Sequence, residues 1–183
     1  MHTPSPRRLA FALALAALAL GASPRAAAAA SDDARPRFTL QVDPLTTALG
    51  FVHAQLEWAF DPAWSVYVGP SVHLFPGLLA EDDDADFTGL GVELGVRYYF
   101  HGAAPEGAWV LLRGVMAHLQ LDDPPDTTAF GGYVSALVGY TAIFDGWFVL
   151  SGGLGVQYVH YEVAGSGTVG VLPAAHTALG VAF

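Results

Sequence analysis

Thr88 to His101 reads T-G-L-G-V-E-L-G-V-R-Y-Y-F-H, and its apolar and polar side chains alternate. Successive side chains of a β-strand point to opposite faces of the sheet, so this period of two predicts a strand. One face is continuously apolar, while the other carries Glu93 and Arg97 among glycines. In a soluble sandwich the apolar face would form the core. In a membrane-spanning barrel it would face lipid, and the charged face would line a narrow interior.

The first thirty residues are predicted to be a secretory signal peptide of the Sec type. Arg7 and Arg8 give a positively charged start, residues 9–20 are an apolar run, and residues 28–30 supply small side chains for cleavage. The apolar run is shorter than the ~20 residues that a membrane-spanning helix needs. Residues 31–36 are then a short extension, and 37–183 a single domain by size.

Composition excludes several classes of protein. All seventeen acidic residues follow the predicted signal peptide, where they meet only four arginines and no lysine. Nucleic acid is therefore not an expected partner, because phosphate binding needs a basic surface. The absence of cysteine excludes disulfides and an N-terminal lipid anchor. Apolar residues make up 53% of the chain, which argues against disorder, yet no apolar run of ~18 residues follows the signal.

Clusters of Gly, Pro, Asp and Ser divide the domain into eight predicted strands. The predicted strands between the first and the last have twelve to seventeen residues each. Strands of soluble proteins average ~5–6 residues, whereas a tilted membrane-spanning strand needs ~9–11, so these lengths favour a membrane-spanning barrel. The predicted bounds are Arg37–Val42, Ala48–Phe60, Trp64–Phe75, Thr88–His101, Ala108–Leu121, Thr128–Phe144, Trp147–Glu162 and Ala174–Phe183.

The predicted connections alternate in length, as they do in bacterial barrels with short periplasmic turns and longer external loops. The predicted connections over residues 61–63 and 145–146 are short, while those over residues 76–87 and 163–173 are long. Asp43-Pro44 is expected to be the external turn after the first strand. The predicted fold class is all-β: an eight-stranded antiparallel up-and-down transmembrane β-barrel, preceded by the cleaved signal peptide.

Most strands separate cleanly into an apolar and a polar face, but the fifth does not. Leu111, Val115 and Leu119 share a face with Arg113, so either a bulge at Gly114 shifts the register or His118 and Gln120 point outward. Aromatic residues near the predicted inner ends form an interfacial girdle. They are Trp58, Phe60, Trp64, Tyr98, Phe100, Trp109, Phe144, Trp147 and Phe148.

Four short motifs carry a resemblance to a known class: residues 43–45 (D-P-L), 93–99 (E-L-G-V-R-Y-Y), 151–155 (S-G-G-L-G) and 180–183 (G-V-A-F). The chain resembles small outer-membrane barrels of the OmpA/OmpX type, and more closely a family of predicted bacterial outer-membrane barrels with no assigned activity. The resemblance implies an outer-membrane location, lipid and lipopolysaccharide as surroundings, and recognition by the barrel-assembly machinery, but no reaction.

The chain's end is similar to the signal that this machinery reads. Val181 and Phe183 match its last positions, with His176 upstream, and Ala178 stands where the signal usually has glycine.

Glu57, Glu93 and Arg97 fall on interior-facing positions of the predicted barrel. Charges inside so narrow a barrel must pair or hydrogen-bond, so the prediction is an ion-pair plug that fixes shape and blocks flow. The alternative is a narrow conduit for ions or small solutes. The predicted neighbours are His53, Gln55, Tyr67, His73, Tyr99, Gln157 and His176.

Three other functions, a calcium site, an enzyme and a soluble binder, have weaker support in the sequence. Asp82, Asp84 and Asp86 resemble the first ligands of a calcium loop, but Phe87 replaces its glycine; a solvated loop is expected, with weak cation bridging to lipopolysaccharide as the alternative. Resemblance to small barrels that modify lipid A would imply a Ser, a His and an acid near the external rim. His160, Glu162 and Ser166 fall there, but they lack the spacing of a hydrolase nucleophile. A soluble lipocalin-like binder would turn its apolar faces inward. We therefore expect a monomeric, non-enzymatic barrel without a cofactor.

Overall fold

The computed structural model describes residues 35–48, 51–73, 87–121, 128–163 and 166–183. Within these ranges the side chains of residues 51, 73, 87, 88, 121, 163, 166 and 167 are not described. The strands are β1 (Phe38–Val42), β2 (Phe51–Asp61), β3 (Trp64–His73), β4 (Phe87–Ala103), β5 (Glu106–Leu121), β6 (Thr128–Phe144), β7 (Phe148–Val163) and β8 (Ser166–Ala182). One short helix, α1 (Pro44–Ala48), follows β1.

The eight strands form one closed antiparallel up-and-down barrel, in which each strand pairs with the next and β8 pairs with β1. This confirms the predicted all-β class, the number of strands and their order. No helix in the described part of the chain is long and apolar enough to cross a membrane.

The register of the barrel advances by ten residues in one circuit. Starting from Thr39 on β1, each residue has a directly paired residue on the next strand. These paired residues are, in order, Glu57, Tyr67, Gly95, Arg113, Ser135, Gln157 and, on β8, Leu172. The β1–β8 register would place residue 49 beside Leu172, ten positions after Thr39. Such a stagger tilts the strands against the barrel axis, typically by ~35–45°.

The connections at the end of the barrel that holds the chain's C-terminus are short. Residues 62–63 join β2 to β3, 104–105 join β4 to β5, and 145–147 join β6 to β7. Gly102 and Gly107 have φ angles of +89° and +130°, a region that L side chains rarely adopt, so glycine suits these hairpin positions. Ladder irregularities lie nearby, between Ala59 and Asp61 and between Tyr99 and His101.

Two predictions about strand limits and turns were wrong. β8 begins at Ser166, so the expected loop over 163–173 is mostly strand, and only residues 164–165 join β7 to β8. The expected Asp43-Pro44 turn is instead the start of α1, because the Asp43 carboxylate accepts hydrogen bonds from the backbone N–H groups of Leu45 and Thr46, as a helix N-cap does.

The register of β5 decides between the two alternatives for that strand. Its pairing with β4 runs unbroken from Trp109 to Leu121, so no bulge occurs at Gly114. His118 and Gln120 lie on the outer face and are exposed, whereas Arg113 is buried in the interior.

Most large apolar side chains of the barrel lie on its outer face, while Glu57, Glu93, Arg97 and Arg113 are buried inside. Phe130 and Met116 are 73% and 69% exposed, while Glu57 and Arg97 are completely buried. The aromatic residues predicted as a girdle are largely on the outer face, where Trp64 packs against Tyr98 and Trp147 against Phe148. Trp109 is the exception: it is fully buried inside the barrel.

Candidate functional site

Glu57 lies at the centre of a buried polar network inside the barrel. It is completely buried, and five side chains donate hydrogen bonds to its two carboxylate oxygens. The donors are Ser65 Oγ (2.5 Å), Arg97 Nη1 (2.6 Å), Gln41 Nε2 (2.9 Å), Tyr99 Oη (2.9 Å) and Thr39 Oγ1 (3.1 Å). This carboxylate therefore has charge-assisted partners in place of water.

The guanidinium of Arg97 is enclosed by aromatic rings as well as by Glu57. Its Cζ lies 5.1 Å from the ring centroid of Tyr67 and 5.0 Å from that of Trp109. Cation–π contacts of this kind strengthen when the cation is removed from water, as Arg97 is. The side chain is thus fixed in position by an ion pair at one end and by two ring faces.

His176 connects Arg97 with Asp43. Arg97 Nη2 lies 2.9 Å from His176 Nε2, and because a guanidinium can only donate, that nitrogen must accept. The imidazole hydrogen is then on Nδ1, which faces Asp43 Oδ2 at 3.8 Å. Asp43 Oδ1 also accepts a hydrogen bond from Thr177 Oγ1 at 2.7 Å, so the network reaches the start of α1.

Glu93 forms a second carboxylate centre. Its Oε1 accepts hydrogen bonds from Tyr67 Oη (2.8 Å) and Gln55 Nε2 (3.0 Å), and its Oε2 lies 2.6 Å from His53 Nδ1. Arg113 Nη1 is farther away, at 3.8 Å from Oε1, and its guanidinium packs 5.2 Å from the ring of Tyr133. Tyr67 therefore links the two centres, since it contacts both Glu93 and Arg97.

Strand register explains why these groups meet. Glu57 pairs with Thr39 on β1 and with Tyr67 on β3, while Ser65 pairs with Arg97 on β4. Directly opposed side chains lie ~4.5–5.5 Å apart at Cβ and diagonal ones within reach of long side chains. Alternation along four neighbouring strands thus assembles donors and acceptors into one cluster.

The other side of the interior is mainly apolar. Buried side chains there include Leu111, Val115, Leu119, Leu137, Val149 and Val159. Trp109 Nε1 donates to Thr141 Oγ1 at 2.9 Å, so this buried indole has its hydrogen-bond partner. The expected polar interior is therefore correct for β1–β4 but wrong for much of β5–β7, where a small apolar core stands instead.

Most of the predicted interior residues come together as expected. Glu57, Glu93, Arg97, His53, Gln55, Tyr67 and Tyr99 all join the network. His176, predicted both as a neighbour and as part of the terminal signal, belongs to the interior. Val181 and Phe183 lie at the β1–β8 pairing, where Val181 faces Leu40 and Phe183 bonds to Phe38.

Some predicted residues lie outside the described part of the chain. They are Asp82, Asp84 and Asp86, together with the side chains of His73 and Ser166. His160 and Glu162 are described, and both are exposed on the outer face of β7. Among the described residues, no group of three or more His, Asp or Glu side chains could hold a metal ion.

Asp43, Arg113 and the polar residues Thr39, Gln41 and Ser65 were not predicted as members of the network. Thr39 and Gln41 alternate with apolar residues along the five residues of β1 and are both buried, so the pattern did carry a signal for them. The signal for Ser65 was present, because it shares its face with Tyr67.

Comparison of the chain with family models, curated proteins and solved structures found no match in any of the three.

Proposed function

We propose that this chain is a non-enzymatic, membrane-spanning β-barrel of the bacterial outer membrane, whose interior is closed by its ion-pair network. The observation that carries the proposal is the inversion of the barrel: large apolar side chains cover the outside, and buried Glu57, Glu93, Arg97 and Arg113 lie within. In water this arrangement would expose a wide apolar belt, whereas in a bilayer the belt meets lipid.

The packing of the interior favours a closed barrel over a conduit. Arg97 contacts the rings of Tyr67 and Trp109 while it pairs with Glu57, and all four side chains are at most 2% exposed. An open pore would need water along this path. A closed barrel acts through its surface, so we propose a role in envelope structure or in contacts made by the connections at the end opposite the C-terminus.

Single-channel recording of refolded protein in a planar bilayer tests the proposal. Gel mobility before and after boiling identifies the folded fraction, because a folded barrel migrates differently from its unfolded chain. We expect a folded protein that gives no conductance steps. Discrete steps from the folded wild-type protein would favour the narrow channel, and good solubility without detergent would contradict the membrane location.

The Arg97→Ala variant provides a positive control for the recording. Removing this side chain empties the space between Tyr67 and Trp109 and leaves Glu57 without its cation. The matched control is Leu112→Ala, which shortens a side chain that is 60% exposed on the outer face. We expect intermittent conductance from folded Arg97→Ala and none from Leu112→Ala.

A further inference from the structure

The pairing that closes the barrel covers only part of β8. β1 has five residues and β8 has seventeen, and their ladder stops at the pair Val42–Leu179. From Leu179 towards its N-terminal end, β8 continues to Ser166 and remains paired with β7 on one side. Among the described residues, no strand pairs with the other side of residues 169–177, which we call the open edge.

Hydrogen-bond parity shows which backbone groups face the open edge. Phe183 N donates to Phe38 O on β1, whereas Ala182 N donates to Trp147 O on the β7 side. Successive residues of a strand bond to opposite neighbours, so the odd-numbered residues of β8 face the edge. These residues are Val169, Val171, Pro173, Ala175 and Thr177, and no described residue forms a backbone hydrogen bond to them there.

β1 cannot extend to cover this edge. Asp43 N donates to His53 O at 3.2 Å, so the β1–β2 hairpin is already closing at that pair. A continued β1–β8 ladder would place residues 44–48 beside residues 173–177 of β8, yet those five residues form α1. α1 occupies the turn and contacts β8 through Leu45 N, which donates to Thr177 Oγ1 at 3.2 Å.

The open edge lacks most of the devices that keep strand edges apart. β8 has no Asp, Glu, Lys or Arg, and Val171 is 71% exposed. Natural edge strands are usually protected by charge, bulges or proline. Pro173 is the one such residue, and its missing N–H falls on the edge side, where no ladder bond is lost.

We propose that the open edge receives an extended segment of a partner protein, which adds to β8 as a further strand with apolar side chains. A row of backbone donors and acceptors is matched by another strand, and a lipid chain cannot supply those groups. The exposed apolar side chains of Val169 and Val171 select an apolar partner.

The choice of a different protein over a second copy rests on the proposed function. Two copies in one membrane would be related by an axis along the membrane normal. Their tilted β8 strands would then cross at roughly twice the ~35–45° tilt, which leaves no ladder between them. A partner segment has no such restriction on its direction.

The chain has no cysteine, so single cysteines can carry a photoactivated benzophenone without competition. Val169→Cys tests the edge, and Tyr158→Cys is the matched control, because Tyr158 pairs with Val171 but lies on β7, which has neighbours on both sides. After irradiation of membranes from producing cells, mass spectrometry identifies the joined peptides. We expect Val169→Cys to join a peptide of a different protein at least tenfold more often than the control.

The adduct must also depend on the backbone of the edge. In the Val169→Cys background, Val171→Pro removes one N–H that faces the edge, while Val171→Ala retains it. We expect at least a tenfold loss of the adduct with proline and little change with alanine. Hydrogen exchange of the peptide containing residues 168–177 gives a reading that needs no variant: exchange should be slow in membranes and faster after detergent extraction.

Several results would overturn the inference. They are adducts with lipid, with the same chain or with a second copy alone, equal labelling at Tyr158→Cys, and exchange that is equally slow after extraction. Failure of the proposed function looks different, since the protein would then be found soluble without detergent.

Discussion

Arg97 has no access to water, so its charge depends on the groups that surround it. Replacing it with methionine removes the cation and leaves Glu57 buried without its ion-pair partner. Breaking a buried pair in this way costs about 3–5 kcal/mol, whereas replacing both partners is often far less costly. We expect Arg97→Met to lower the free energy of unfolding by about 3–5 kcal/mol, and Glu57→Gln/Arg97→Met by clearly less.

Chemical denaturation of the refolded barrel in detergent micelles measures both variants under the same conditions. Glutamine retains acceptor and donor groups for Ser65 and Tyr99, so the double variant keeps part of the network. Equal destabilisation by the single and double variants would show that the ion pair is not the source of the effect.

Two glycines offer a matched test of packing against Trp109. A Cβ added to Gly153 would lie 2.5 Å from Trp109 Cη2 and 2.9 Å from the carbonyl oxygen of Val138. One added to Gly114 would find its nearest neighbour at 3.9 Å. We expect Gly153→Ala to destabilise the barrel by about 1–3 kcal/mol through overpacking.

Gly114→Ala should be neutral or should stabilise by about 0.4–1 kcal/mol, because alanine restricts the unfolded chain. Denaturant midpoints compare the two variants, and near-UV circular dichroism reports the environment of Trp109. A similar loss of stability in both variants would contradict the close packing of the Trp109 ring against β6 and β7.

Sequence reasoning succeeded at single residues where alternation was regular, and it failed where it was interrupted. Glu57, Glu93 and Arg97 stood on clear polar faces, so their burial together could be predicted. Arg113 shares its face with Leu111 and Val115, because the barrel interior changes from polar to apolar at β5. Alternation identifies two faces but does not say that one interior can contain both kinds of side chain.

At the level of strands, β1 to β7 were predicted well, with β1 at Phe38–Val42 against the predicted Arg37–Val42, but the start of β8 was not. β6 has the predicted bounds, Thr128–Phe144. β8 begins eight residues before its predicted start at Ala174, since Gly167, Gly170 and Pro173 resemble a loop. A strand with one open edge tolerates Pro173, and sequence alone does not reveal that the β1 partner is missing there.

α1 depends on Asp43, which caps it and anchors it to β8. Asp43→Ala removes the acceptor for Leu45 N, Thr46 N and Thr177 Oγ1. Loss of an N-cap costs about 0.5–2 kcal/mol, so we expect a destabilisation of that order. Asp43→Asn keeps an oxygen in the same place, and asparagine caps helices about as well as aspartate, so its effect should be smaller.

Thermal or denaturant unfolding distinguishes the two Asp43 variants, and the hydrogen exchange of residues 44–48 reports the helix itself. Faster exchange in Asp43→Ala than in Asp43→Asn is the expected order. If both variants lose equal stability, the charge of Asp43 near His176, and not its role as a cap, would be the important contribution.

For the whole molecule, closure of the barrel depends on a short ladder. Between β1 and β8, deletion of residues 181–183 removes the pairs made by Val181 and Ala182 and the hydrogen bonds between Phe183 and Phe38, leaving the pairs of Leu179 and Gly180. A barrel avoids unpaired backbone in lipid only when it is closed. We expect the truncated chain to lose the gel-mobility difference between boiled and unboiled samples, both after refolding and in cell membranes.

Phe183→Ala is the matched control, because it keeps the backbone groups that bond to Phe38 and removes only the aromatic side chain. If closure is the reason for the defect, this variant should still refold in vitro. If the terminal aromatic residue is also an assembly signal, Phe183→Ala should refold in vitro but reach lower levels in membranes. Normal folding and normal membrane levels of the truncated chain would contradict both roles of the C-terminus.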